Sequence, residues 1–156
     1  MHTSTYVTGL LFHPESQQIL LHQPQKNDDS PSIWSMFGGI NEDEDGAIAF
    51  QKVIFKALNT KIAIKRICPV YDYFHGTLRK TNFVYYAEVR RLQNFTAKGE
   101  TFTWFTFKQT LKLRFMQETK QDIMVTQRVI DAAERVASNT QYFRPPPLPD
   151  FRLPIT

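Results

Sequence analysis

The chain has a single cysteine, Cys68, among its 156 residues, which excludes an internal disulfide and any metal centre built from several thiolates. Lying near a strand pattern, that residue is read as a small apolar side chain and not as a reactive thiol. No apolar run approaches the length of a bilayer span, and the N-terminal MHTSTYVTG has neither the basic nor the apolar segment of a secretion signal. No membrane partner is therefore expected, and the expected location is cytoplasmic. The most informative gap is chemical. Between Asp45 and Asp72 there is no aspartate or glutamate at all, so whatever structure residues 46–71 adopt, they bring no carboxylate to it.

What is present suits one globular domain. Hydrophobic residues make up 42% of the chain and thirteen phenylalanines supply bulk, enough for a real core at this length. The expected organisation is a single domain over residues 1–143 followed by a proline-rich tail over residues 144–156. A net charge of +4 permits an anionic ligand without requiring one. The cations fall in short clusters, Lys61-Lys65-Arg66, Arg79-Lys80 and Arg90-Arg91, with no nucleic-acid motif beside them, so nucleic acid is not an expected partner and a solvated surface is the reading. His2, His13, His22 and His75 show no metal-ligand spacing and are read as surface or strand-end residues.

Residues 6–12 and 18–22 predict a hairpin, followed by a polar loop over residues 23–32. Gly38 and Gly39 then follow an apolar segment, which predicts a strand-loop-helix junction where the backbone takes a conformation that a side chain would forbid. Glu42, Asp43, Glu44 and Asp45 stand in a row just before a helix, where the free N–H groups and dipole of the first turn favour negative charge. From Ala47 onward, Phe50, Ile54, Ala57 and Leu58 share one face with it at helical spacing, and Asn59 is the expected stop. Residues 62–74 and 81–89 predict two long strands joined at His75-Gly76-Thr77. Their Tyr71, Tyr73, Tyr85 and Tyr86 either fill a sheet face with the hydroxyls at its edge or line a base-stacking surface. A further strand over residues 101–107 and an amphipathic helix over residues 119–137 complete an α/β class with a mixed sheet and helices on both faces.

The stretch WSMFGGINEDEDGAIAFQKVIFKALNTKI resembles the Nudix box, G-x5-E-x7-R-E-U-x-E-E-x-G-U with U a bulky aliphatic residue. Trp34 ahead of Met36-Phe37-Gly38-Gly39 is similar to the family's W-x-x-P-G-G, with Phe37 in place of proline. Asp45 lies at the x5 spacing after Gly39, and Glu44 at the same spacing after Gly38. With one residue deleted from the loop, Lys52-Val53-Ile54-Phe55-Lys56-Ala57 takes the place of the arginine, glutamate, aliphatic, any-residue and paired-glutamate positions. The resemblance extends over about residues 6–137 and implies a Nudix-like α/β/α sandwich whose box loop and helix floor a ligand cleft.

In that family the helix glutamates hold divalent ions that activate water and neutralise a diphosphate, and Mg²⁺ is rarely held without a carboxylate. The resemblance with those acids missing implies a catalytically impaired protein that binds a nucleotide or another phosphorylated metabolite, with Gly38, Gly39, Lys52 and Lys56 at the ligand and no cofactor. Lys52 and Lys56, four apart on one helix face, either neutralise phosphates directly or face solvent. The alternative is an active hydrolase of a nucleoside diphosphate derivative that uses Mg²⁺ or Mn²⁺. There Glu42, Glu44 and Asp45 would be displaced metal ligands, and Glu100, a few residues before Trp104-Phe105, the candidate catalytic acid. The same acids also read as helix-capping and turn residues. A third reading is an adaptor acting through the tail, where Pro145-Pro146-Pro147-Leu148-Pro149 predicts extended chain. The alternation of Phe151, Leu153 and Ile155 predicts docking on the same domain or on a second subunit, which allows a homodimer.

Overall fold

The computed structural model describes residues 4–24, 32–42 and 45–142, and the expectations for the tail and for Asp43 and Glu44 lie outside these. The strand with the most continuous apolar run, β1 (Ser4–His13), sits at the centre of the sheet and pairs with three others. It runs antiparallel to β2 (Gln18–Pro24) and β3 (Phe37–Ile40) and parallel to β5 (Lys80–Glu88). With β4 (Ile67–His75) and β6 (Glu100–Thr106), the sheet order is β4-β5-β1-β2-β6, and β3 lies against β1. A strand covered on both faces has no polar side to alternate with. Val7 and Leu11 of β1 pack with Phe50 and Ile54 of α1 (Gly46–Leu58). Leu10 and Phe12 pack on the opposite face with Phe107 of α2 (Phe107–Thr110) and with Ile123 and Ile130 of α3 (Gln117–Tyr142). The result is the expected mixed sheet between helices. Among the described residues, no helix is long and apolar enough to cross a membrane.

The ends of α1 are set by two side chains. The Asp45 carboxylate accepts from the Ala47 N–H at 2.8 Å and caps the start. Asn59 closes the other end in the left-handed region at φ 54°, its own N–H donating to the Phe55 carbonyl at 2.8 Å. Asparagine tolerates this conformation, but glycine adopts it without a Cβ penalty. Asn59→Gly is expected to raise stability by about 0.5 kcal/mol, and a lower urea midpoint would contradict this account of the cap.

Four local expectations are corrected. Residues 62–66 do not join the strand that follows. Ile62 is buried beneath α1, and a single 3-10 turn over Ile64–Arg66 lets the chain reverse into β4. Phe107 leaves the sixth strand because Thr106 starts a helix: its hydroxyl accepts from the Gln109 N–H, and the Gln109 side-chain oxygen accepts from the Thr106 N–H. The last helix runs from Gln117 to Tyr142, longer than residues 119–137. Gly38 and Gly39 lie within β3, paired with Thr8 and Val7, and neither has a positive φ. Their smallness matters through space. A Cβ on Gly39 would lie 3.1 Å from the Val53 side chain, and one on Gly38 would lie 3.2 Å from the Val7 carbonyl, so Gly39 lets α1 approach the strand and Gly38 lets β1 do so.

On the other face α3 is tied to the sheet by a buried carboxylate. Asp122 is 3% exposed and accepts from the hydroxyls of Tyr71, at 2.7 Å, and Tyr73, at 3.3 Å, while Asn82 donates to the Tyr73 oxygen. Tyr71 and Tyr73 therefore brace the sheet, in line with the plainer of the two readings of the tyrosines; Tyr86 is buried on the same side and Tyr85 stacks on Phe50 across it. Burial pushes the Asp122 carboxyl above its ordinary 3.8; the two tyrosine hydroxyls and Lys80 oppose the shift, and Glu118 adds to it. The folded chain then holds this proton to higher pH than the unfolded chain does. The stability it contributes is complete below the unfolded value and is lost as pH rises through the window just above pH 3.8. Asp122→Asn is expected to remove that downward slope, as read from urea unfolding at a series of pH values, and an unchanged slope would contradict the assignment.

Candidate ligand-binding cleft

A cleft of about 630 Å³ opens between β3, α1 and the adjoining ends of β2 and β6. One wall is the α1 face carrying Ala49, Lys52, Val53, Lys56 and Ala57, positions spaced so that they share a side of the helix. The opposite wall is Phe37, Gly38, Gly39 and Ile40, and Glu42 lies at the rim. Here the fold joins most of the residues singled out from the sequence: Gly38, Gly39, Lys52, Lys56, Glu42 and Glu100 all line one cavity. Asp45 does not line it, since its carboxylate is engaged as the helix cap, and Glu44 lies outside the described residues.

The far end is closed by a pair that sequence reasoning missed. His22 Nδ1 lies 3.0 Å from Glu100 Oε1, and His22 Nε2 lies 3.0 Å from the Met36 carbonyl oxygen. The imidazole stacks on Phe37 with ring centroids 4.7 Å apart. Because one ring nitrogen must donate to the carbonyl, the contact with Glu100 is a hydrogen bond only when the pair holds one further proton. Glu100, expected as an exposed turn residue or a catalytic acid, is thus a partly covered carboxylate anchored to a ring. The usable signal was the period of two in β2, which puts His22 on the same side as Leu20, a residue of the core beneath α1.

Asn59, in the left-handed region, ends the helix at one position of the pattern that the sequence resembles. Counting from Lys52 at the arginine position of the Nudix pattern, the second glycine of that pattern falls on Asn59, the residue whose φ is 54°. Val53, Lys56 and Ala57 then occupy the three glutamate positions of the helix, and all three line the cleft. The donor chemistry does not fit a divalent ion on this wall: an alkyl, an ammonium and a methyl group offer no oxygen. Among the described residues, no group of three or more histidine, cysteine, aspartate or glutamate side chains is placed to hold a metal.

No protein-family model and no curated protein sequence matches this chain. Solved structures do. The NUDIX domain of Shewanella oneidensis NrtR, determined in complex with ADP ribose, superposes with a TM-score of 0.63 at 13% identity, over 83% of this chain and 90% of that one. The E. coli ORF135 protein gives a TM-score of 0.64 at 15% identity, over 85% and 94%. A MutT structure from work on Aliivibrio salmonicida and Vibrio cholerae gives 0.62 at 14% identity, over 78% and 97%. Such low identities carry the architecture and not the chemistry, and on that architecture the conclusion is plain: the chain has the Nudix fold.

Proposed function

We propose that this Nudix-fold protein binds a nucleotide or another phosphorylated metabolite in the cleft beside α1, without metal-dependent hydrolysis. The observation that carries this reading is the α1 wall, where Lys52 and Lys56 line the cavity and no helix carboxylate does. Ammonium groups there supply the positive charge that a phosphate needs and leave no oxygen cage for a metal. The backbone of Gly38 and Gly39 gives close approach on the opposite wall, and Phe37 with His22 offers a flat apolar surface for a ring. That a Nudix domain of the same fold holds ADP ribose supports nucleoside diphosphate derivatives as the ligand class to test. In a panel of such compounds screened with chelator present, at least one is expected to raise the thermal unfolding midpoint. A panel that leaves the midpoint unmoved would overturn the reading.

A second reading is favoured by Glu42 and Glu100, which reach the same cleft. It is a hydrolase using Mg²⁺ or Mn²⁺ on displaced ligands, with Glu44 as a third. Replacing Glu42, Glu44 and Glu100 by glutamine would then abolish divalent-dependent product release, whereas the binding reading expects no such release to begin with. The adaptor and homodimer readings rest on residues 144–156 and are tested by deleting them and measuring oligomer size and captured partners.

A further inference from the structure

A second groove, of about 360 Å³, lies beyond the Phe95 and Phe102 rings from the first cleft, where α1 ends and β5 leaves the sheet. Its apolar lining includes Ile62, Val89 and Trp104. Four cations stand around it, Lys61, Arg66, Arg90 and Arg91, against one carboxylate, Glu88. Members of two of the short basic clusters, some two dozen residues apart in the sequence, thus converge on one concavity. Among the described residues none of the four cations has an ion-pair partner.

The walls are fixed before anything binds. The Trp104 indole N–H donates to the Gln93 carbonyl at 3.0 Å, and the Val89 N–H donates to the Phe12 carbonyl at 2.9 Å. His13, 6% exposed, places Nε2 3.1 Å from the Arg90 carbonyl oxygen, and the Arg66 N–H donates to the Ala63 carbonyl at 2.9 Å. Both arginine-bearing segments are therefore held by backbone bonds while their guanidinium groups remain available. An apolar floor with convergent unpaired cations is complementary to one kind of occupant, an apolar body carrying a negative head.

We propose that this groove is a second binding site, separate from the α1 cleft, for a small anion with an apolar body: a ring or short chain bearing a phosphate or a carboxylate. The apolar body lies against Trp104, Ile62 and Val89, and the head is gripped by Arg66, Arg90 and Arg91. Naphthyl phosphate, naphthoate and uncharged naphthol are matched probes for the full chain, read by amide and indole NMR. Both anions are expected to shift the Trp104 indole and the Ala63 and Val89 amides, and to bind at least roughly tenfold more tightly than naphthol, as charge-assisted hydrogen bonds require. The tighter of the two anions identifies the head group. Arg66→Ala with Arg91→Ala is expected to remove that advantage, and the single exposed Arg91→Glu keeps the test open if the double variant does not fold. Shifts centred on Gly38 and Gly39, equal affinity for naphthol, or affinity unchanged in the arginine variants would overturn the proposal.

Discussion

Lys52→Ala combined with Lys56→Ala is expected to weaken binding of a nucleoside diphosphate ligand about a hundredfold, taking each charge-assisted contact at the low end of its usual 1.5–3 kcal/mol. Both lysines come from one face of α1 and both line the cavity. The two side chains are exposed, so the substitutions leave the core intact and the loss is read as binding and not as unfolding. Screening adds a second readout. Raising salt weakens the wild-type complex but has little left to screen in the double variant, so the slope of affinity against ionic strength is expected to flatten. Calorimetric titration at several salt concentrations checks both. Full affinity with the original slope in the double variant would place the lysines in solvent, as their alternative reading has it.

Gly9→Ala is expected to cost about 3 kcal/mol of stability, at the top of the usual overpacking range. Gly9 lies buried in the middle of β1, paired with Phe37 on one side and Tyr85 on the other. A Cβ there would run into the Tyr85 carbonyl and lie 2.8 Å from the Phe50 ring. The first obstacle is backbone of the neighbouring strand, which cannot turn aside as a side chain can. The second is the residue that seats α1 on the sheet, fully buried and stacked on Tyr85 at 5.8 Å. Shrinking Phe50 to leucine in the same chain is therefore not expected to rescue Gly9→Ala. Because α1 carries Lys52 and Lys56, the same substitution is expected to disturb the cleft as well. Urea unfolding checks the first effect, and a midpoint near that of the wild type would contradict this packing account.

What could be read from the sequence was what depends on neighbours along the chain. The apolar spacing of α1, the acidic run just before it and its stop at Asn59 are all local, and the structure has the helix over Gly46–Leu58, capped by the last acid of that run, Asp45, and ended at Asn59. The sheet class followed from strand and helix patterns in order. What escaped was non-local. His22 and Glu100 meet across 78 positions, and only the pairing of β2 with β6 brings them together. The convergence of Arg66 with Arg90 and Arg91 likewise depends on where the 3-10 turn and the end of β5 fall in space. Gly38 and Gly39 predict a junction for a conformational reason, whereas the structure uses their lack of a side chain to let Val53 and the β1 backbone come close. A sequence shows that a glycine is there, but not which neighbour needs the space.

The most direct test of the central claim is one calorimetric titration of the wild-type chain with the best ligand of the nucleoside diphosphate panel, in chelator and again in Mg²⁺ or Mn²⁺, with product release followed in parallel. The account predicts the same affinity in both conditions and no product in either. Binding that requires the divalent ion, or turnover that appears with it and vanishes in the variant with Glu42, Glu44 and Glu100 replaced by glutamine, would contradict it.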